Sequence, residues 1–415
     1  MGGNSSQRLK KRGNDHIKIQ VCDALMGQGK TQSAIAKMNA ETDKQFMFVT
    51  QRLTETDRII KGCPDRCFVQ PWKSSEGKLP ALHNLLENKR NIATTHALFY
   101  KYTEETLGLI RAGHYSLILD EVLDVVSFLE IGARDIQVLF EAKLIEFEPG
   151  TNRVVWIEEN YNERFTDIKR EIETKYITYE DNKLMVWMLP VELFEAFDEV
   201  LVLTYMFKAQ YQYYYYLHHD IDIEYIGVQK TKDGFEFTDT PSTGKIKLPE
   251  IHIYEGDNLN AVGERYYALS ATWHKNEQGK YTAQIKTLKD NLYNYFTHKC
   301  VCKSENRLWS AFDLEKTELG GKGYTKRSIP YNTRAVNDYR NCTHLAYLVN
   351  IFPHVDMQRY FEKRGFEIDR DALATSDMVQ WLWRSALREG QEIWLYLPSR
   401  RMRDLLKKWI AEVSE

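Results

Sequence analysis

The sequence predicts an α/β protein in which two domains, each built on a parallel sheet, follow one another along the chain. Up to about residue 215, short apolar strand patterns alternate with helical patterns, which is typical of a parallel sheet. The strand patterns are KQFMFVTQ, RCFVQPW, RNIATT, SLILDE and EVLVLTY. The chain has 415 residues, which is too many for one ordinary core and therefore indicates two domains with additions.

The composition is that of an ordinary globular protein, because 43% of the residues are hydrophobic and 28% are charged. The formal net charge is −3, so any contact with nucleic acid must come from a local basic patch. No apolar run reaches the roughly 18 residues of a membrane span, and no secretory signal is visible before the first strand. We therefore expect a cytoplasmic protein that has no membrane among its partners.

The start of the chain, residues 1–14, is expected to form a disordered basic arm. Its first residues, MGGNSS, fit an N-myristoylation pattern at Gly2, but the pattern is short and we favour an unmodified start. The six cysteines of the chain lack the spacing of a zinc site, so we interpret them as reduced thiols.

The segment DALMGQGKTQSAIAK contains the pattern A-x4-G-K-T between a β-branched strand and a helical pattern. Strand, glycine-rich loop and helix are the context in which this pattern binds phosphate groups. The lysine of such a loop reaches the β- and γ-phosphates, and the following threonine ligates Mg²⁺. The sequence therefore predicts ATP and Mg²⁺ as cofactors. The expected binding residues are Ala24, Gly27, Gly29, Lys30 and Thr31.

A pair of carboxylates follows the apolar strand SLIL, about 90 residues beyond the phosphate loop. We expect Asp120 to hold Mg²⁺ together with Thr31, because carboxylate and hydroxyl oxygens suit this ion. Glu121 is then placed to polarise the attacking water. An Asp-Glu pair alone is common on protein surfaces. Here it indicates a metal site because a phosphate loop precedes it in the chain.

MGQGKT and LDEVL together resemble the nucleotide-binding motifs of superfamily-2 helicases of the DEAD/DEAH-like class. Further segments follow in the order of that family's motifs Ia, Ib, III, V and VI: FMFVTQRLTETDRI (46–59), NIATTHALF (91–99), VLVLTYMF (200–207), SIPYNTRAVNDYR (328–340) and SDMVQWLWRSALREG (376–390). More narrowly, the last of these segments and the ending LPSRRMRDLLKKWI are similar to DEAD-like helicases encoded by bacteriophages and prophages.

The resemblance implies two RecA-like domains in tandem. The first would span residues 15–215, with an insertion near 150–190 that reads as a helix with a hairpin-like element. The strand alternation and turns of residues 216–261 predict a β-rich connector. The second RecA-like domain would span residues 262–415.

The last motif predicts arginines that reach the ATP from the second domain. Gln380, Arg384 and Arg388 recur every four residues, so one helix would carry them on one stripe. Thr375 or Ser376 would cap this helix at its N-terminus, and Gly390 would follow its C-terminus. The resemblance implies that all three polar residues are catalytic, with the arginines as fingers on the γ-phosphate. The family's spacing is Q-x3-R-x2-R, and here it is Q-x3-R-x3-R, which makes Arg384 the better-supported finger.

The resemblance also implies contacts with nucleic acid, chiefly with its phosphates. The candidates are Arg52, Thr54, Thr94, Thr95, His96, Arg334 and Asn337. Arg334 has an alternative role in sensing the nucleotide. The tyrosines of QYQYYYYLHHD, at 211 and 213–216, could stack on bases, but packing between sheet and helix is the commoner fate of such rings.

Two segments compete for the motif that couples ATP to nucleic acid. Thr204 ends the strand VLVLT at the expected place, whereas Ser270-Ala271-Thr272 has the literal family letters about 150 residues beyond Asp120. We favour Thr204, and we interpret residues 270–272 as a strand and turn near the start of the second domain.

Taken together, the motifs predict an ATP-dependent helicase or translocase, and the resemblance to phage-encoded helicases implies that it acts in phage or prophage replication. Its partner would be single-stranded or forked DNA in preference to RNA, with replication proteins as further candidates. Two alternatives remain at this point: an ATPase switch or clamp that does not separate strands, and a P-loop kinase-like enzyme. The first uses the same motifs, and the second would need a lid and an acceptor pocket.

Overall fold

The computed structural model describes residues 18–72, 77–242, 244–277, 283–312, 316–332 and 338–414. The predicted basic arm (1–14) and the candidate nucleic-acid contacts Arg334 and Asn337 lie outside the described residues. Among the helices of the described ranges, none is long and apolar enough to cross a membrane.

The described strands are, in chain order, β1 (Lys18–Asp23), β2 (Gln45–Thr50), β3 (Ile92–Thr95), β4 (Tyr115–Asp120), β5 (Val126–Phe128), β6 (Ile145–Phe147), β7 (Val154–Trp156), β8 (Ile177–Glu180), β9 (Leu184–Met188), β10 (Glu199–Thr204), β11 (Asp222–Lys230), β12 (Phe235–Thr238), β13 (Ile251–Ile253), β14 (Arg307–Ser310), β15 (His344–Tyr347) and β16 (Ile393–Tyr396).

The described α-helices are α1 (Lys30–Ala40), α2 (Leu53–Gly62), α3 (Lys78–Glu87), α4 (His96–Phe99), α5 (Glu104–Gly113), α6 (Ala133–Glu141), α7 (Thr166–Thr174), α8 (Glu192–Glu195), α9 (Tyr211–His218), α10 (Asp257–Asn260), α11 (Ala271–Glu277), α12 (Ala283–Asn294), α13 (Lys316–Leu319), α14 (Val355–Glu362), α15 (Arg370–Leu382) and α16 (Arg400–Val413).

The first sheet has the strand order β12-β11-β1-β10-β4-β2-β3, and all of its pairings are parallel except β11 with β12. Its central strands are buried on both faces, which explains why they appear in the sequence as continuous apolar runs. The second sheet, β13-β16-β15-β14, is parallel throughout. The predicted α/β fold with two parallel sheets is confirmed.

The strands of residues 216–261 divide between the two sheets and do not form a connector of their own. β11 pairs in parallel with β1, and β12 folds back on β11. β13 pairs with β16 of the second sheet. Strand alternation revealed these strands, but the parallel partners of β11 and β13 lie about 200 and 140 residues away along the chain, where no local pattern could indicate them.

A small module with antiparallel strands is inserted after β4. It contains the sheet β5-β9-β8, the hairpin β6-β7 and the helices α6 and α7. It therefore begins at Val126, earlier than the predicted insertion near 150–190. Its hydrophobic side chains belong to the same core cluster as those of the first sheet, so the module is packed onto the first domain.

The tyrosines of α9 are part of the core and not an open stacking surface. Tyr214, Tyr215 and Tyr216 are buried. Tyr211 lies parallel to the ring of Phe361 on α14, with 6.2 Å between ring centroids. Helix α9 therefore packs between the first sheet and α14, and its tyrosines are core residues, as the commoner of the two sequence interpretations predicts.

Helix α15, which leads to the predicted arginines, begins with a side-chain cap. The Asp369 carboxylate accepts hydrogen bonds from the backbone N–H groups of Asp371 and Ala372, at 3.0 and 2.8 Å. The predicted caps, Thr375 and Ser376, instead lie inside the helix. The helix therefore begins at Arg370, several residues before the predicted start, because Asp369 caps it there.

We expect Asp369→Ala to destabilise the protein by about 1 kcal/mol, because two N–H groups lose their acceptor. This corresponds to a fall of roughly 2 °C in the thermal midpoint of a chain of this size. Asp369→Asn is the matched control, since its amide oxygen still caps the helix. Equal losses in both variants, measured by differential scanning calorimetry, would show that the cap is not the source of the stabilisation.

Candidate functional site

The phosphate loop connects β1 to α1 with the geometry that the sequence predicts. Gly27 and Gly29 have φ angles of 86° and 94°, which residues with a Cβ rarely adopt. Gly29 has a second reason to be glycine, because a Cβ there would lie 2.2 Å from the Phe235 ring of β12. Ala24 is buried, and its N–H donates to the Thr204 carbonyl at 3.0 Å. The loop is thus held between β12 on one side and β10 on the other.

The ammonium of Lys30 is turned into its own loop. It donates hydrogen bonds to the carbonyl oxygens of Ala24 and, at 3.2 Å, of Leu25. Burial lowers the pKa of Lys30, and the neighbouring Glu121 and Asp120 oppose this shift. A phosphate oxygen placed in the loop would supply the negative charge that favours the ammonium form.

Asp120 lies at the C-terminal end of β4 within reach of two hydroxyl groups. Thr31 donates to one carboxylate oxygen at 3.4 Å, and Thr50 donates to the other at 3.5 Å. Burial, followed by the nearby carboxylates Glu121 and Glu55, raises the pKa of Asp120 to about 7. A divalent cation such as Mg²⁺ takes oxygen ligands, which the carboxylate and the hydroxyl groups supply, and its positive charge would offset the excess negative charge of the nearby carboxylates. Thr31 and Asp120 are therefore suitable to hold Mg²⁺.

Glu121 has an unusual backbone conformation. Its φ angle is 80°, which is strained for a residue with a Cβ, and its N–H donates to the Leu203 carbonyl at 2.9 Å. This bond turns the chain sharply at the end of β4 and places the Glu121 side chain in the cleft beside Asp120. Strain of this kind is concentrated at functional sites.

The predicted arginines reach the cleft, but the predicted helix does not exist as one piece. α15 ends at Leu382, Arg384 lies in the turn that follows, and Arg388 lies in a 3-10 turn over residues 386–389. Gly390 ends this turn with a φ angle of 75°. The prediction that one helix carries all three polar residues on one stripe is wrong. The Ser385 hydroxyl accepts a hydrogen bond from the Leu387 N–H and so caps a new turn after α15.

Gln380 is separated from the arginines and does not line the cleft. It is buried, and its amide donates to the Ser376 hydroxyl at 3.1 Å. The same hydroxyl accepts a hydrogen bond from Gln210 of the first domain at 2.8 Å. The structure therefore places Gln380 in a buried polar contact between the domains, apart from the residues that line the cleft.

The cleft has a volume of about 300 Å³ and is lined by both domains. The lining residues are Met26, Gly27, Gly29, Lys30, Thr31, Gln32, Thr50, Gln51, Glu55, Arg58, Asp120, Glu121, Arg384, Arg388 and Glu389. Arg384 is buried there, and burial together with the nearby Arg340 lowers the pKa of Arg388.

Sequence reasoning missed the polar residues contributed by α2 and by the second domain's 3-10 turn. Glu55 and Arg58 form a 3.3 Å ion pair one helical turn apart, and Glu389 pairs with Arg340 at 3.1 Å. Glu55 and Arg58 could have been predicted as cleft residues because they follow the C-terminal end of β2. Parallel strands end at the same edge of a sheet, so this strand end lies beside the phosphate loop.

Thr204 lies where a coupling residue would need to lie. It is buried beside Asp23, whose carboxylate accepts the N–H groups of Met206 and Phe207 at 2.7 and 2.9 Å. The Tyr205 hydroxyl accepts a hydrogen bond from Trp409 of α16 at 2.7 Å. Residues 204–207 thus contact both the phosphate loop and the second domain.

The competing segment lies within the second domain. Ser270 accepts a hydrogen bond from the Trp273 N–H at 3.2 Å at the start of α11. The strand predicted for residues 270–272 is therefore wrong, and the turn is followed by a helix. Ser270 is not among the residues that line the cleft.

The predicted nucleic-acid contacts of the first domain differ in their exposure. Arg52 and Thr54, at the start of α2, are exposed, and Thr95 is partly exposed. Thr94 and His96 are buried, because α2 and α4 pack against β3. The structure therefore corrects the prediction for these two side chains, which face the protein interior.

The comparison with known proteins assigns a family. A curated protein of Bacillus subtilis (strain 168), the SPbeta prophage-derived uncharacterized protein YonV, is 38% identical over 411 residues, covering 95% of this chain and 98% of that protein. The chain belongs to the YonV family. The YonV middle domain matches residues 126–187, which is the inserted module, and the YonV C-terminal Rossmann-like domain matches residues 246–410. The predicted resemblance to prophage-encoded proteins is confirmed by this relative.

Two solved structures are similar to the YonV-family chain at a greater distance. S. tokodaii Xpd4 has a TM-score of 0.44 at 12% identity and covers 96% of this chain and 95% of its own. The DUF1998 helicase MrfA bound to DNA and AMPPNP has a TM-score of 0.36 at 8% identity, covering 95% of this chain and 48% of its own.

The raised pKa of Asp120 leads to a prediction about stability. An Asp titrates near 3.8 in an unfolded chain and near 7 in this site, so the folded state binds more protons in between. The wild type therefore loses stability as the pH rises from about 4 to 7. We expect Asp120→Asn to raise the thermal midpoint without ligands, by an amount that grows from pH 5 to pH 7 and then levels off.

Asp124→Asn is the matched control, since Asp124 is an exposed carboxylate near the same strand end. Its thermal midpoint should follow that of the wild type at every pH. A difference between Asp120→Asn and wild type that is constant from pH 5 to pH 8 would contradict the raised pKa.

Proposed function

We propose that this YonV-family chain is an ATP hydrolase of the helicase or translocase type, stimulated by nucleic acid. The observation that carries the proposal is the composition of the cleft. One side supplies a phosphate loop and two carboxylates, and the other side supplies two arginines from a separate parallel-sheet domain. Such a site is complete only when the two domains are close together, which links the state of the nucleotide to the arrangement of the domains.

Six residues of the cleft are proposed to take part in phosphoryl transfer. Lys30 leaves its loop carbonyls to bind the β- and γ-phosphates, and Glu121 orients the attacking water. Arg384 and Arg388 stabilise the charge that develops on the transferred phosphoryl group. Mg²⁺ held by Thr31 and Asp120 would neutralise charge on the phosphate oxygens.

Residues 204–207 are proposed to couple the cleft to the second domain. The Asp23 carboxylate fixes their backbone beside the phosphate loop, and the Tyr205 hydroxyl holds Trp409 of α16. Leu25 and Met26 of the loop also pack in the core of the second domain. A change in the loop therefore has a direct mechanical path to the second sheet, with Thr204 at its centre.

Nucleic acid is proposed to contact the exposed residues that follow the first sheet's strand ends, Arg52, Thr54 and Thr95. Contacts of this kind are mostly with phosphates, so binding should weaken with salt and show little sequence preference. The prophage origin of the curated relative supports a role in phage or prophage DNA replication, in the host cytoplasm and near replication proteins. Single-stranded or forked DNA is the proposed substrate.

A clamp that does not separate strands is the second candidate, and one observation favours it. Helix α14 of the second domain is tied to the inserted module by an Arg364–Glu180 ion pair at 3.2 Å and a Lys363–Asp181 ion pair. The Tyr360 hydroxyl also lies 3.3 Å from the sulfur of Met188. These contacts hold this segment of the second domain's chain on the first domain, so the two domains stay joined there when the cleft opens. The kinase-like alternative lacks comparable support, because the second half of the cleft comes from a parallel-sheet domain that offers arginines.

We expect the wild type to hydrolyse ATP and to do so faster with single-stranded DNA. Lys30→Ala should abolish turnover, because the phosphates lose their main cation. Arg384→Ala should lower kcat by a factor of about 10³ with little change in nucleotide affinity, as expected for a transition-state contact. Arg170→Ala, an exposed arginine on α7, is the control and should behave as wild type.

The same assay separates the candidates. Turnover that is indifferent to both DNA and RNA would refute the motor and redirect the search to small acceptors or a protein partner. Stimulated turnover without displacement of a labelled strand from a forked duplex would favour the clamp.

The coupling role has its own test. Tyr205→Phe removes only the hydroxyl that accepts from Trp409, so we expect the ratio of DNA-stimulated to unstimulated turnover to fall roughly threefold, the scale of one lost hydrogen bond. Tyr293→Phe, on an exposed tyrosine of α12, should leave this ratio unchanged. A ratio in Tyr205→Phe equal to that of wild type would exclude this path.

A further inference from the structure

Two neighbouring tyrosines in the second domain are unusually exposed for aromatic residues. Tyr266 and Tyr267 are 53% and 64% exposed. Their rings stand perpendicular to one another, with centroids 4.8 Å apart, and both contact Phe352, at 5.7 and 5.3 Å. The three rings form a surface, which we call the aromatic platform. Phe352 is only partly exposed, so the open part of the platform consists of the two tyrosine rings.

The platform stands on a rigid base. The buried Asn350 side chain donates to the carbonyl oxygens of Tyr266 and Ala268 at 2.8 and 2.9 Å. Arg401 donates to the Asn350 side-chain oxygen at 2.9 Å, and its guanidinium lies 4.3 Å from the centre of the Phe352 ring. The backbone that carries the tyrosines is therefore fixed before any ligand binds, which lowers the entropic cost of binding.

The platform lies at the edge where the second sheet's strands end. Phe352 follows β15, and His354, two residues later, stacks on Phe128 of β5 with centroids 6.0 Å apart. β5 itself begins shortly after Glu121. In the first domain, Arg52 and Thr95 likewise follow or end strands at the carboxyl edge of the sheet. The platform is thus next to the junction with the first domain.

The chemistry beside the rings favours a nucleic acid over an apolar peptide. Arg265, the residue before Tyr266, is exposed and makes no ion pair among the described residues. A free cation next to exposed ring faces offers one contact for a phosphate and others for bases. Stacking on aromatic rings accepts any base, so it suits a protein that must bind without sequence preference.

We propose that the exposed rings of Tyr266 and Tyr267, supported by Phe352, form a stacking platform for the bases of single-stranded nucleic acid, with Arg265 on the phosphate backbone. The platform rests on the proposed function and extends it, because it gives the second domain a hold on the bases, whereas the contacts proposed for the first domain are with phosphates. Because bases are paired within a duplex, the platform selects single strands.

The test compares a fluorescent thymidine oligonucleotide with an abasic backbone of the same length, by anisotropy at fixed salt. The wild type should bind the thymidine strand more tightly than the abasic one. The double variant Tyr266→Ala/Tyr267→Ala should bind the thymidine strand about fivefold or more weakly and lose the preference for bases. The double variant Tyr266→Phe/Tyr267→Phe keeps the rings and should retain the preference. Tyr293→Ala controls for loss of an exposed tyrosine elsewhere.

The outcomes separate the platform from the proposed function. If the alanine double variant has the thermal midpoint of wild type and still prefers the thymidine strand, the platform is refuted while the motor stands, and a protein partner becomes the occupant of the rings. If the wild type binds neither DNA nor RNA, the proposed function falls and the platform with it. If the phenylalanine variant also loses the preference, the hydroxyls and not the ring faces are responsible, which likewise refutes stacking.

Discussion

The placement of two adjacent carboxylates at the end of β4 is the constraint on which the rest of the cleft depends. Burial is the main cause of the raised pKa of Asp120, and the charge of the adjacent Glu121 adds to it. Their unfavourable charge is offset by cations that converge from separate elements: Lys30 from the loop, Arg58 from α2, and Arg384 from the second domain. A nucleotide with its metal would bind between these charges, and the charged side chains are in place before it binds.

This charge arrangement explains why the site needs two domains. The first sheet can place a lysine and two carboxylates at one edge, because parallel strands end together there. Arg58 of α2 adds a further cation from the first domain, and Arg384 and Arg388 reach the cleft from the second. The turns after α15 carry these last two arginines, and their own fold depends on the second sheet, against which α15 and α16 pack.

The parts of the site that depend on short stretches of chain were predictable from the sequence. The phosphate loop and the Asp-Glu pair are set by a local strand and turn, so their residues and order were visible at once. The position of Gln380 relative to Arg384 and Arg388 could not be predicted in this way, because the Ser385 hydroxyl interrupts the helix between them. The burial of Thr94 and His96, and the pairing of β11 with β1, depend on packing between distant segments, which no local pattern records.

The division of the chain into domains also limits how the cleft can move. Helix α14 follows β15 of the second sheet, yet Met357, Tyr360 and Phe361 belong to the core of the first domain. The surface ion pairs to the inserted module add little to this packing, whereas parting the aromatic rings would expose a large apolar area. α14 must therefore move with the first domain. The Asp369 N–H donates to the Tyr214 hydroxyl at 2.9 Å, so the chain up to the start of α15 stays with the first domain as well.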